Sequence, residues 1–303
     1  MKRIVIIDTV GSVESLVPAF RAHFPFVSEW AGYEADYLAG EPCHPHGAMC
    51  CEKALQPLFD VGPVKVYFLR VFDANGVFSL SDDEILSVLG SWADEDTSRI
   101  YVNCSWGMYV GGRDSNRDWF TQAEKWRDFL RKHTNVVVTW ASGNDGDYQP
   151  DNDNDMPQSL LTDCSFKIGS MALDGVPSKF SSDSTLGRPI CVYWAEDVKL
   201  FNGVKGTIDI GSGTSFAAPM HTGLMCRLDL DFQQGVEFCR ENAIGPVNER
   251  TQPHPKFGYG TMQHMYGAAI SNSPYLLNKM VKMKLFHLGL SRWFDMREVS
   301  GET

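Results

Sequence analysis

Four short runs rich in apolar and β-branched residues constrain this chain more than any other feature. They are Ile4-Val-Ile-Ile7, Val64-Lys-Val-Tyr-Phe-Leu-Arg-Val71, Ile100-Tyr-Val-Asn-Cys-Ser105 and Asn135-Val-Val-Val-Thr-Trp-Ala141. Each is short and apolar on both sides, as a strand covered on both faces of a parallel sheet must be. Helical patterns lie between them. Residues 13–23 carry Val13, Leu16, Val17 and Phe20 at helical spacing, and 46–59 place Ala48, Cys50, Cys51 and Ala54 on one side. Asp82 to Asp94 begins with two acids that suit the positive end of a helix, and Trp119 to His133 is amphipathic. Strands alternating with helices predict an α/β fold with a mostly parallel sheet flanked by helices. Phe166 to Met171 and Ile190 to Trp194 are further candidate strands, and a Gly-rich turn over 211–215 leads into the apolar segment Phe216 to Met225. No repeat and no Pro-, Gly- or Ser-rich linker divides the 303 residues. One domain over 1–273 is expected, with 274–303 as a helical extension.

The net charge of −11 repels phosphate backbones, so nucleic acid is not an expected partner. The basic residues between Lys279 and Arg297 read as a solvated helix face. No run of about 18 apolar residues predicts a membrane span. Met1-Lys-Arg is followed by only four apolar residues before Asp8, short of the roughly 7–15 that a secretory signal needs. None of the eight cysteines forms a Cys-x-x-Cys pair, and several, such as Cys104, sit inside apolar runs. They read as free buried thiols, which points to a cytoplasmic setting.

In parallel sheets, ligands bind beyond the carboxyl ends of the strands. Asp8, the turn Ser105-Trp106-Gly107 and the turn Ser142-Gly143-Asn144 all follow predicted strands. Acyl transfer by a serine needs a base, a carboxylate that orients the base, and donors for the oxyanion. Ser215, in Gly213-Thr-Ser-Phe-Ala-Ala-Pro219, has small neighbours and opens a predicted helix. His46, in His44-Pro-His-Gly-Ala48, begins another; His44 is a weaker rival because Pro45 separates it from the helix. Singly, each reads as an ordinary feature: a helix cap for Ser215 or Asp8, a structural ring for His46, turn chemistry for Asn144. Together they fill every role once. The acidic loop with Asp145, Asp147, Asp151, Asp153 and Asp155 offers oxygen ligands for calcium, but it lacks EF-hand spacing and reads first as solvated. No cofactor is expected.

In this order the motifs resemble the subtilase family of serine peptidases. Ile-Val-Ile-Ile-Asp8-Thr resembles its aspartate strand, and His46-Gly-Ala its histidine helix start. Asn103-Cys-Ser-Trp-Gly107 resembles its substrate-binding strand, and Ala141-Ser-Gly-Asn144-Asp-Gly its oxyanion segment. Ser212-Gly-Thr-Ser215-Phe-Ala-Ala-Pro219 matches its serine signature, and Phe257-Gly-Tyr-Gly260 resembles the motif that closes the domain. The resemblance covers roughly residues 3 to 270 and implies a three-layer fold. It implies a triad of Asp8, His46 and Ser215, with Asn144 in the oxyanion hole. A peptide substrate would lie extended along Asn103 to Gly107. Ser105, Trp106 and Gly107 would wall the first specificity pocket against Ala141, Ser142 and Gly143, with Trp106 lining or narrowing it. Three features depart from the pattern. Val10 stands where the family has glycine, with Gly11 next; Ala48 and Met49 replace the common Thr and His; and, with Asp8 eight residues in, no propeptide is expected ahead of it. Restraint by narrow specificity or by a regulatory or inhibitory partner is therefore expected. A catalytically silent peptide-binding module is the alternative reading.

Overall fold

The computed structural model describes residues 1–109, 116–146, 155–182, 187–245, 256 and 258–271. The proposed extension over 274–303 and the acidic loop over 147–154 lie outside the described residues. The predicted strands become β1 (Lys2–Asp8), β3 (Val64–Arg70), β4 (Ile100–Cys104), β6 (Val136–Ala141), β8 (Phe166–Met171) and β9 (Cys191–Trp194). With β2 (Val27–Tyr33) they form a seven-stranded sheet in the order β2-β3-β1-β4-β6-β8-β9. Every neighbouring pair is parallel.

The sheet explains the unbroken apolar runs. Ile4 and Ile6 face one buried core, Val5 and Ile7 the other. Helices α2 (His46–Leu55) and α5 (Thr214–Leu228) contribute to the first core. Helices α3 (Asp82–Ala93) and α4 (Asn116–Lys132) contribute to the second. The fold is thus a three-layer α/β architecture. Helix α5 is buried at nearly every position from Thr214 to Cys226, which accounts for a segment without an amphipathic stripe. The strand order reverses between β1 and β4, so their carboxyl ends open a crevice at a topological switch point.

Three expectations change. The predicted 13–23 helix is a short 3-10 turn at Val13–Ser15 followed by α1 (Pro18–His23). Pro18 forces Val17 into an extended conformation, φ −61° and ψ 145°, and the helix can only start after it. The 46–59 helix ends at Leu55 and tightens to 3-10 over Gln56–Leu58, where Pro57 lies. Asn103 and Cys104 are paired on both sides, to β1 and to β6. Their backbone therefore offers no edge to a substrate, and only 105–107 continues beyond the sheet.

Two short pairings complete the frame: β5 (Met108–Tyr109) with β7 (Asp155–Met156), and β10 (Val198–Asn202) with β11 (Thr207–Gly211). Helices α6 (Phe232–Asn242) and α7 (Gln263–Ile270) pack onto the first core. Among the described residues no helix is long and apolar enough to cross a membrane.

Candidate active site

Asp8 ends β1 and His46 begins α2. Their side chains meet: His46 Nδ1 lies 2.8 Å from Asp8 Oδ1 and 3.0 Å from Oδ2. Asp8 is 1% exposed, while a quarter of the His46 side chain (25%) reaches solvent. Thr9, which the sequence did not flag, holds the two elements in register. Its amide donates to Asp8 Oδ1 (2.8 Å), and its hydroxyl donates to the His44 carbonyl (2.7 Å) while accepting from the Gly47 amide (3.0 Å). Gly47 permits this approach, since a Cβ there would stand 3.0 Å from Asp8 Cβ. The displaced glycine has a similar reason: a Cβ on Gly11 would stand 2.7 Å from the Tyr33 carbonyl, while Val10 is fully buried. His44 stays outside the pair, with its Nδ1 accepting from the His46 amide at 3.3 Å.

Buried Arg70, across the sheet from Asp8, anchors the approach to His46. Its guanidinium donates to the carbonyls of Leu38, Glu41 and Pro42 at 3.2–3.3 Å and pairs with Glu34 and Glu41.

Ser215 lies in the first turn of α5. Pro219 stands four residues on and has no N–H, so it leaves the Ser215 carbonyl without its helical partner. Two side chains supply one instead. Ser105 Oγ donates to it at 2.7 Å, and Cys50 Sγ at 3.3 Å. Ser105 is in turn held by Asn103 Nδ2 at 2.9 Å. Cys50 also lies 3.8 Å from His46 Nδ1, and the Phe216 ring is 5.6 Å from the His46 ring. His46 and the Ser215 backbone therefore share neighbours. The Ser215 hydroxyl itself donates to the Ser105 carbonyl at 3.1 Å, not to His46. With Nδ1 committed to Asp8, Nε2 is the ring nitrogen left for a serine proton.

Asn144 is fixed by its oxygen, which accepts from the Thr214 amide and hydroxyl, each at 3.0 Å. Because a backbone N–H must find an acceptor, these bonds decide the amide orientation and leave Nδ2 as a free donor. A Cβ built on Gly213 would lie 3.6 Å from Asn144 Nδ2 and 3.8 Å from the Ser215 amide nitrogen. Both donors thus lie close to one point beside Gly213. The Ser215 amide belongs to the first helical turn and has no intrahelical acceptor, so it is available to an anion.

Burial opposes a charge on His46, but the Asp8 carboxylate, Cys50 and the hydrogen bond to Asp8 prevail and hold its pKa well above 6.5. Burial pushes the Cys50 thiol up, so at neutral pH it remains a donor. Trp106 is packed against Phe78 and Trp140 at ring separations of 5.0 and 5.1 Å and is 8% exposed. The wall at 105–107 is therefore mainly backbone. Ala141 and Ser142 are buried opposite it, and Gly143 is partly exposed. Asp145 and β7 bracket the acidic loop.

The architecture has known counterparts. A lanthipeptide protease superposes with a TM-score of 0.65 at 16% identity, over 89% of this chain and 87% of that one. The prenylagaramide maturation protease PagA gives 0.60 at 18% identity, over 89% and 92%. The chain has a subtilisin-like fold. A cold-adapted subtilisin-like serine proteinase also matches, with a TM-score of 0.57 and 15% identity over 86% of each chain. No protein-family model matches the sequence, and no curated protein does. In the subtilisin-like frame, Thr9, Cys50, Arg70 and Pro219 are the supporting residues that sequence reading missed. Only the proline carried a signal, because a proline four residues after a serine in a helix must orphan its carbonyl.

Proposed function

We propose that this chain is a serine endopeptidase that cleaves peptide bonds through an acyl-enzyme on Ser215. The observation that carries the reading is the hydrogen-bonded Asp8–His46 pair, which shares the neighbours Cys50 and Phe216 with a helix-start serine, with Asn144 Nδ2 and the Ser215 amide both near Gly213. Ser215 Oγ rotates off the Ser105 carbonyl, gives its proton to His46 Nε2 and bonds to the scissile carbonyl carbon. The carbonyl oxygen takes the negative charge and is held by Asn144 Nδ2 and the Ser215 amide. His46 then returns the proton to the leaving amine as the C–N bond breaks. Water, deprotonated by His46, releases the acyl group and restores the serine. Asp8 fixes the His46 tautomer and stabilises its cation throughout.

The substrate would extend along 105–107, with one side chain between that wall and 141–143. Processing of a specific protein or peptide suits this chain better than bulk digestion, and two of the similar structures are a lanthipeptide protease and a maturation protease. Eight free cysteines, six of them fully buried, support a reducing, cytoplasmic setting, where a regulatory or inhibitory partner would restrain the enzyme. The Ser215 hydroxyl bonded to Ser105 instead of His46 favours one second reading, a silent peptide-binding groove.

Labelling by a fluorophosphonate probe separates the two. Wild-type protein is expected to label, and Ser215→Ala and His46→Ala are expected not to. No labelling of folded wild-type protein would overturn the protease reading in favour of the binding groove.

A further inference from the structure

The side chain of Gln158 stands apart from every polar group around it. It is 1% exposed, yet neither its Nε2 nor its Oε1 has a hydrogen-bond partner. Two groups of its own turn are satisfied: the Ser159 hydroxyl accepts from Lys167 Nζ at 2.9 Å, and the Leu161 carbonyl accepts from the Ser165 amide at 2.8 Å. The indole nitrogens of Trp106 and Trp140 are buried without a partner as well. A buried amide group left unpaired is uncommon, since about nine in ten buried polar groups have a partner.

Topology places this amide at the substrate wall. β5 continues directly from Gly107 and pairs antiparallel with β7, Met108 opposite Met156. The chain leaving β7 turns at Pro157 into a 3-10 turn whose first residue is Gln158. Its carboxamide lies where a side chain on residue 107 would project: a Cβ on Gly107 would stand 2.3 Å from Nε2 and 3.1 Å from Oε1. β4 and β6 pair up to Cys104 and Trp140, so 105–107 and 141–143 leave the sheet side by side. Gln158 therefore packs against the first of these walls.

We propose that Gln158 is the floor of the first specificity pocket and selects a short polar side chain, serine, threonine or asparagine, on the acyl side of the scissile bond. The inference rests on the protease reading and names its substrate class. A carboxamide offers one donor group and one acceptor. A hydroxyl or a second carboxamide answers both, whereas a hydrocarbon answers neither and leaves the amide unpaired. The same side chain fills the depth beside Gly107, so a long residue finds no room.

The test uses the full chain as wild type, Gln158→Leu and Gln158→Ala, each first labelled with the fluorophosphonate probe. Cleavage is then read on fluorogenic peptides randomised at the three preceding positions and fixed as Ser, Asn, Ala, Leu or Phe at the cleaved residue. Wild type is expected to prefer Ser and Asn over Ala, Leu and Phe by about tenfold or more in kcat/KM. Gln158→Leu, similar in size but apolar, is expected to lose the preference for Ser over Ala. Gln158→Ala is expected to gain about tenfold on Leu and Phe. A labelled wild type that prefers long apolar or basic residues overturns the inference while the protease reading stands; this profile decides even if a variant fails to fold. Labelled variants that keep the wild-type profile overturn it equally. A folded wild type that does not label overturns the protease reading, and this inference with it.

Discussion

The two sides of the crevice are finished to different degrees. On the side of β1 and α2, the polar groups at the centre have partners. Asp8 takes His46 and the Thr9 amide, and Thr9 ties both neighbouring backbones. On the side of β6, β7 and α5, donors are left over. Both ends of the buried Gln158 amide lack a partner, exposed Asn144 is held through its oxygen, the Ser215 amide lies in the first helical turn, and the Ser215 hydroxyl rests on a carbonyl. The difference matches a division of labour. A proton-handling pair benefits from being fixed before the substrate arrives, whereas groups that bind developing charge must stay unsatisfied until it forms.

The largest expected effect lies on the finished side. Asp8→Asn keeps the shape but favours the wrong His46 tautomer, and kcat should fall about 10⁴-fold with the fold intact by circular dichroism. A fall under tenfold would mean that the pair is structural. On the open side, Asn144→Ala should lower kcat by about 10²–10³ with little change in KM, because in the proposed mechanism the lost donor acts only on the oxyanion. An unchanged kcat would leave the Ser215 amide to act without Asn144.

A smaller effect concerns pH. In the proposed mechanism the base form of His46 is needed, and its pKa is raised, so kcat/KM should climb about tenfold per unit of rising pH up to an inflection above 6.5. Stability should run the other way. A raised folded pKa contributes fully below the unfolded value near 6.5 and fades as pH rises through the folded pKa. Asp8→Asn should move the activity inflection downward, and an inflection that does not move would detach Asp8 from His46. The smallest expected effect is Thr9→Val, which removes a hydroxyl bonded twice and should cost about 1–2 kcal/mol in urea unfolding. A larger fall in kcat than in stability would show that register between β1 and α2 limits catalysis.

Central strands were legible because burial on both faces leaves a continuous apolar run, as in Ile4 to Ile7. β2 was not, because it is an edge strand with mixed exposure, and the β10–β11 hairpin was missed with Ile208 and Ile210 64% and 70% exposed. Asp8, His46, Asn144 and Ser215 drew attention because small residues and turns flank each of them. Arg70 and Gln158 carried no such mark. A charged residue inside a strand and a glutamine after a proline look like surface residues until their partners, or the lack of them, are known.

The sequence by itself determined the alternation of strands and helices, the strand ends where chemistry could collect, and the break that Pro219 makes in the hydrogen bonding of α5. These are local consequences of backbone sterics, missing N–H groups and side-chain periodicity. Tertiary structure decided the strand order, the closed edges of Asn103 and Cys104, the bond from Ser105 to the Ser215 carbonyl and the place of Gln158 beside Gly107. Those depend on which distant segments meet, and no local preference encodes a contact across 51 or 110 residues.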